Sequence, residues 1–210
     1  MRLIDTHSHL FLEEFSEDLP QVIERARSAG ITHIFMPNID STTIDSMLSV
    51  CNAYKDYCFP MIGLHPTSVN ADYEKELEIV ARELKSFNKY IAIGEIGMDL
   101  YWDKTFLKEQ QIALDKQINW ALEYDLPVVI HCRDAFDYIY NVLEPYKNTS
   151  LKGIFHSFTG TDDEAARILE FSGFLIGING VVTFKKSHLP EVLTKIPLEK
   201  IVLETDSPYL

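Results

Sequence analysis

Short β-rich runs fall near residues 2–9, 32–39, 59–65, 90–98, 127–133, 153–158, 174–182 and 201–206, with seven segments of helical periodicity between them. This alternation constrains the fold most, because strand–helix–strand repeats build parallel sheets covered by helices. Runs such as Val128-Val129-Ile130 and Phe174-Leu175-Ile176 are apolar at every position, as strands buried on both faces require. In the first helical segment Leu19, Val22, Ile23 and Ala26 follow an i, i+3, i+4, i+7 stripe, with Asp18 a candidate N-cap and Gly30 a candidate C-terminal cap. Leu77, Val80, Ala81 and Leu84 repeat the pattern, and Leu107, Leu114, Ile118, Ala121 and Leu122 carry it through the longest helix. Thr161-Asp162-Asp163-Glu164 has the form of a capping box, with Ala165, Ile168 and Leu169 inward.

Two α/β architectures compete, a doubly wound open sheet and a TIM (β/α)8 barrel. An open sheet gathers its chemistry at one switch point and often carries a glycine-rich phosphate loop. Gly94-Glu95-Ile96-Gly97 is no such loop, since it continues a strand instead of opening a helix. Eight units with polar residues at the ends of several separate strands favour the barrel, whose sites lie at the C-terminal rim. Residues 1–210 are expected to form one such domain.

The chemistry-bearing residues sit at those strand ends. In Asp5-Thr6-His7-Ser8-His9, read as a strand, Asp5, His7 and His9 share one face. Two imidazoles about 7 Å apart along a strand converge on one divalent ion if the strand end is splayed. Later runs end in Gly63-Leu64-His65-Pro66, Gly94-Glu95-Ile96-Gly97-Met98-Asp99, His131-Cys132-Arg133-Asp134, His156-Ser157-Phe158 and Glu204-Thr205-Asp206. A single buried His or Glu is usually a hydrogen-bonded structural residue. A set of them at the same end of successive strands points to one shared site.

The composition narrows the chemistry. Lys plus Arg number 19 against 32 Asp plus Glu, a formal charge of −13, whereas proteins that grip long duplexes normally present a basic face. A nucleic-acid substrate would then draw local positive charge largely from bound metal, which favours short segments or strand ends. Cys51, Cys58 and Cys132 are odd in number and form no CxxC pair, which fits a reduced cytoplasm. Cys51 and Cys58 read as buried small residues, and strand alternation turns Cys132 away from the face of His131. No apolar run approaches the roughly 18 residues that span a bilayer. No membrane association or obligate protein partner is expected.

In order along the whole chain, Asp-x-His-x-His, Gly-Leu-His-Pro, Gly-Glu-Ile-Gly-Met-Asp, His-Cys-Arg-Asp, His-x-Phe-Thr-Gly and Glu-Thr-Asp-Ser-Pro-Tyr-Leu resemble the TatD family of metal-dependent deoxyribonucleases. The resemblance implies a metallo-hydrolase TIM barrel with two divalent metal ions, Zn, Mn, Mg or similar. It implies that His7, His9 and Asp206 hold one ion, that His131 and His156 hold the other, and that Glu95 bridges them. The activity implied is hydrolysis of DNA, at single strands or strand ends and from the 3′ end, by a water that the metals activate. Asp206 is expected to serve also as the base for that water, so Asp206 and Glu95 are the expected catalytic pair.

His65 lies outside the family's metal set and is a candidate phosphate contact, with a structural role as the alternative. Arg133 shares the parity of His131 and is placed either to pair a phosphate or to orient a ligand carboxylate. For Asp5, Asp99, Asp134 and Glu204 two roles stand open, orienting histidines or forming caps and internal ion pairs. His33 and His188 have no motif around them. Two rival activities remain, hydrolysis of small amides, esters or lactones by the same metal pair and mere metal binding by an inactive truncated barrel. The second arises because such barrels usually need about 250 residues, whereas this chain reaches Leu210 just past its eighth strand. The resembled family continues through a loop with an Arg-Gly…Asn-Glu-Pro segment and closing helices, so the expected barrel lacks its C-terminal closing helices.

Overall fold

A computed structural model describes residues 2–86 and 89–209. Its strands are β1 (Leu3–Asp5), β2 (Ile31–Pro37), β3 (Cys58–Met61), β4 (Ile93–Asp99), β5 (Val128–Arg133), β6 (Lys152–Phe155), β7 (Gly173–Ile178) and β8 (Ile201–Leu203). Between them lie helices α1 (Leu19–Ser28), α2 (Ile44–Ala53), α3 (Tyr73–Ser86), α4 (Leu107–Glu123), α5 (Phe136–Leu143), α6 (Asp162–Leu169) and α7 (Leu189–Leu193).

All strand pairs are parallel, in the orders β1-β2-β3 and β4-β5-β6-β7-β8. Isolated bridges join the two ladders, Ile62 to Ile93 between β3 and β4, and Ser8 to Ser207 between β1 and β8. At the second seam Thr6 N donates to Leu203 O (3.1 Å), Asp206 N to His7 O (2.9 Å) and His9 N to Ser207 O (2.8 Å). These bonds complete a ring, so the expected barrel forms, and sequence neighbours are spatial neighbours throughout.

The helical stripes face this ring. Ile23 of α1, Leu77, Val80 and Leu84 of α3, Leu114, Ile118 and Ala121 of α4 and Ala165 and Ile168 of α6 are buried. All seven residues of β4 are buried. The expected capping box closes α6: Thr161 Oγ1 accepts from Glu164 N (3.3 Å), and Glu164 Oε2 accepts from Thr161 N (2.6 Å). Gly30 ends α1 with φ 91°, a conformation glycine adopts without penalty. Asp18 precedes α1 but makes no cap bond. Its backbone is not extended, and its carboxylate accepts from Arg25 instead (3.1 Å).

Several strands end sooner than their apolar runs suggest. The β1 ladder stops at Asp5, and His7 and His9 stand on the rim segment that follows, where pairing passes from β2 to β8. His65, His156 and Asp206 likewise lie just past their strands. Ile4 and Leu203 are exposed, and no helix follows β8 among the described residues. No helix there is long and apolar enough to cross a membrane.

Candidate metal centre

Glu95 rises from β4 into the barrel mouth, and five histidines from the ends of four other strands surround it. Its two oxygens face different partners. Oε2 lies 3.1 Å from His7 Nε2 and 3.7 Å from His9 Nε2. Oε1 lies 3.0 Å from His131 Nδ1, 3.4 Å from His65 Nε2 and 3.7 Å from His156 Nε2. Asp206 Oδ1 closes the far side at 3.8 Å from His7, 3.7 Å from His9 and 3.6 Å from His156. The His7 and His156 rings stack with centroids 3.5 Å apart.

Local backbone geometry aims these groups. Asp206 sits at φ 58° and Ser157 at φ 47°, left-handed conformations that turn the chain sharply out of β8 and β6. At Gly97 the φ is 143°, and an added Cβ would stand 2.0 Å from the His131 carbonyl oxygen. Only glycine lets β4 run that close to β5, which holds Glu95 against His131.

Three supporting carboxylates resolve differently. Asp99 Oδ2 lies 3.0 Å from His131 Nε2, so this one orients a histidine. Glu204 Oε1 lies 3.1 Å from His156 Nδ1 and also accepts from Ser157 N. Asp5 touches no imidazole; its oxygens accept from Thr205 N (3.0 Å) and Thr205 Oγ1 (2.7 Å), tying β1 to β8. Asp134 is exposed. Cys132 is half-buried and borders the cavity above the site, so its sulfur is not fully packed away.

Sequence reasoning missed a layer of buried amides. Gln110 Oε1 accepts from Asp99 N (2.9 Å), pinning the end of β4, and Gln117 Oε1 accepts from Leu64 N (2.7 Å), fixing the approach to His65. Asn38 Oδ1 accepts from Gly63 N (2.7 Å). A signal existed for the glutamines, since both fall seven apart within the apolar stripe of α4, where a polar residue needs a buried partner.

The buried imidazoles and carboxylates shift one another strongly. Burial acts to raise the Glu95 carboxyl, yet His7, His65, His156 and the bond to His131 hold it well below the usual carboxylate range. Burial opposes protonation of His156, but Glu204, Glu95 and Asp206 outweigh it and raise that ring to about 9. For His7 burial wins, with His156 adding to it, and the ring falls to about 4. Nδ1 of His7 and of His9 are buried without hydrogen-bond partners, and their Nε2 atoms lie only 3.1 Å apart. Lone pairs and carboxylate oxygens thus crowd one volume, as a metal site requires. Three ligand groups are close enough to hold an ion: His7, His9 and Glu95; His7, His156 and Asp206; His65, Glu95 and His131. The six residues expected as ligands therefore converge, and His65 joins them. Nitrogen and oxygen donors without thiolate suit Zn²⁺, Mn²⁺ or similar ions.

A parallel barrel with this cluster at the C-terminal ends of its strands defines the class, a metal-dependent hydrolase of TIM-barrel type. The chain belongs to the TatD-related DNase family, whose model matches residues 4–210. It is 35% identical over 209 residues to the metal-dependent hydrolase YabD of Bacillus subtilis, covering 99% of this chain and 81% of that protein. It is 32% identical over 210 residues to the 3′-5′ ssDNA/RNA exonuclease TatD of Pantoea ananatis, covering 99% and 80%. Among solved structures, the TatD homologue YjjV of Escherichia coli superposes with a TM-score of 0.91 at 33% identity, covering 99% of this chain and 80% of that one.

Proposed function

We propose that this chain is a 3′–5′ exonuclease that hydrolyses single-stranded DNA using two divalent ions. The divided environment of Glu95 carries the reading: one oxygen faces His7 and His9, the other His65, His131 and His156. A carboxylate so placed suits a bridge. His7, His9 and Asp206 would hold one ion, and His131 and His156 the other. Bound there, two divalent ions would supply Lewis-acid polarisation of a phosphate and a water of lowered pKa.

The protein's own residues supply the rest. Asp206 accepts the proton of the attacking water. Burial alone would raise its carboxyl, but the bond with His9 and the charges of His156 and His7 hold it below its ordinary value, so it stays ionised with its oxygens free of protons. His65, on the same side of Glu95 as His131, contacts the phosphate. Asp99 fixes the His131 ring. Arg133, the one Arg or Lys among the described residues lining the cavity of about 560 Å³ over the cluster, pairs a second phosphate. The exonuclease name of the Pantoea relative supports nucleic acid as substrate.

The test is digestion of single-stranded DNA labelled at either end by the metal-loaded protein. Stepwise release of mononucleotides from the 3′ end is expected, with closed circles left intact. Rapid cutting of closed circular duplex, or hydrolysis confined to small amides and esters, would overturn the proposal.

A further inference from the structure

The loop between β4 and α4 puts an aromatic pair at the lip of the catalytic cavity. Trp102 is 74% exposed, and its ring lines the same cavity as Glu95, His131 and Asp206. Tryptophan left this open on a soluble surface invites a partner with a flat face. Tyr101 meets it edge to face, with centroids 4.7 Å apart and planes at 90°.

Arg133 joins them. Its guanidinium lies 3.9 Å from the Tyr101 ring centre and 5.5 Å from that of Trp102. Among the described residues this guanidinium forms no ion pair within 4.0 Å, although its charge is felt by the Asp99 carboxylate. Its flat face is taken by aromatic rings while its N–H edge stays free, an arrangement suited to a phosphate.

The assembly is tethered to the metal centre. Tyr101 N donates to Asp99 Oδ1 (3.0 Å), while the other oxygen of Asp99 meets His131 (3.0 Å). Leu100 N donates to Arg133 O (3.0 Å). One carboxylate thus fixes both a candidate ligand ring and the loop that bears the platform.

We propose that Trp102 is the stacking surface for an unpaired base at the end of the strand, with Arg133 holding the adjoining phosphate, and that this pair selects single strands over duplex. The inference rests on the nuclease reading and deepens it. A paired, stacked terminal base has no free face to offer Trp102, whereas a frayed or single-stranded one does. Because stacking tolerates every base, little sequence preference follows.

The chain has two tryptophans, which gives a direct readout. Trp120 packs half-buried on α4, so Trp120→Phe leaves Trp102 as the sole tryptophan, excited selectively at the red edge of the absorption band. In that variant a short oligothymidylate with phosphorothioate linkages should quench the emission, and the same oligonucleotide with an abasic terminal residue should quench it far less. With the metal-loaded protein, Trp102→Ala should raise KM for single strands roughly 10-fold or more with a smaller change in kcat. Trp102→Phe should restore most of the loss. In Trp102→Ala the preference for a base over an abasic end should vanish. If single strands are digested but Trp102→Ala keeps the wild-type KM and the base preference, the stacking role is wrong and the nuclease reading stands. If the wild type neither binds nor digests any DNA, both fall.

Discussion

Asp206 shows how much one position carries. Its backbone is left-handed, its carboxylate lies within 3.8 Å of three imidazoles, and it follows a strand that pairs with the first. Asparagine tolerates the same backbone, keeps one oxygen ligand and cannot accept a proton at neutral pH. Asp206→Asn should therefore fold normally and keep most metal, while turnover falls roughly 10²- to 10⁴-fold. Initial rates and metal content measured together decide the matter; near-wild-type turnover removes the catalytic role, and parallel loss of metal reduces Asp206 to a ligand. Glu95 differs because it faces every histidine of the cluster. Glu95→Ala should lower occupancy at both proposed metal positions and His131→Ala chiefly at one, read by elemental analysis of protein dialysed against buffered metal. Equal losses in the two variants would argue against a bridge.

At the scale of elements, β4 is the axis of the site. It is buried along its whole length, presents Glu95 and Asp99 to the same histidine, and is clamped at its end by Gln110 from α4. Gly97 lies between the two carboxylates where β4 and β5 nearly touch. Gly97→Ala combines a backbone region hostile to side chains with a Cβ driven into the His131 carbonyl. Summing the two penalties, the expected loss is about 3 kcal/mol or more of stability. His131 should be displaced as well, so metal content should fall with it. A urea midpoint equal to wild type would show that β4 can shift away at little cost.

For the whole molecule, closure of the barrel buries groups that cannot then ionise. Cys51 on α2 and Cys58 at the start of β3 are buried in the core, and burial pushes both thiols up to about 12. An unfolded thiol releases its proton near pH 9 while the native one keeps it, so the unfolded state binds fewer protons and stability falls as pH rises from about 9 towards 12. The slope approaches about 1.4 kcal/mol per pH unit for each thiol within that window. Urea denaturation at pH 8, 9 and 10 should show the decline, and Cys58→Ala should flatten it by one thiol's share. An unchanged slope in the variant would mean that other groups set the alkaline limit.

The order of strands and helices was legible along the chain, and so was the set of histidines and carboxylates that the fold gathers at one place. Apolar runs, the Thr161–Glu164 capping box and the glycine after α1 act over a few residues, and so do the pairs His7–His9 and Glu204–Asp206 at strand ends. Closure into a ring followed from the count of eight units and the polar strand ends. What the tertiary structure alone decided is which group meets which. His65 came to lie beside Glu95 and His131 because Gln117, 53 positions away, takes the Leu64 backbone N–H. Asp5, on the same face of the motif as His7 and His9, spends its oxygens on Thr205, 200 positions on. Arg133 packs over Tyr101 and Trp102 while its charge acts on Asp99. Periodicity assigns a residue to a face, but the partner across a barrel mouth depends on distances between strand ends that no local pattern encodes.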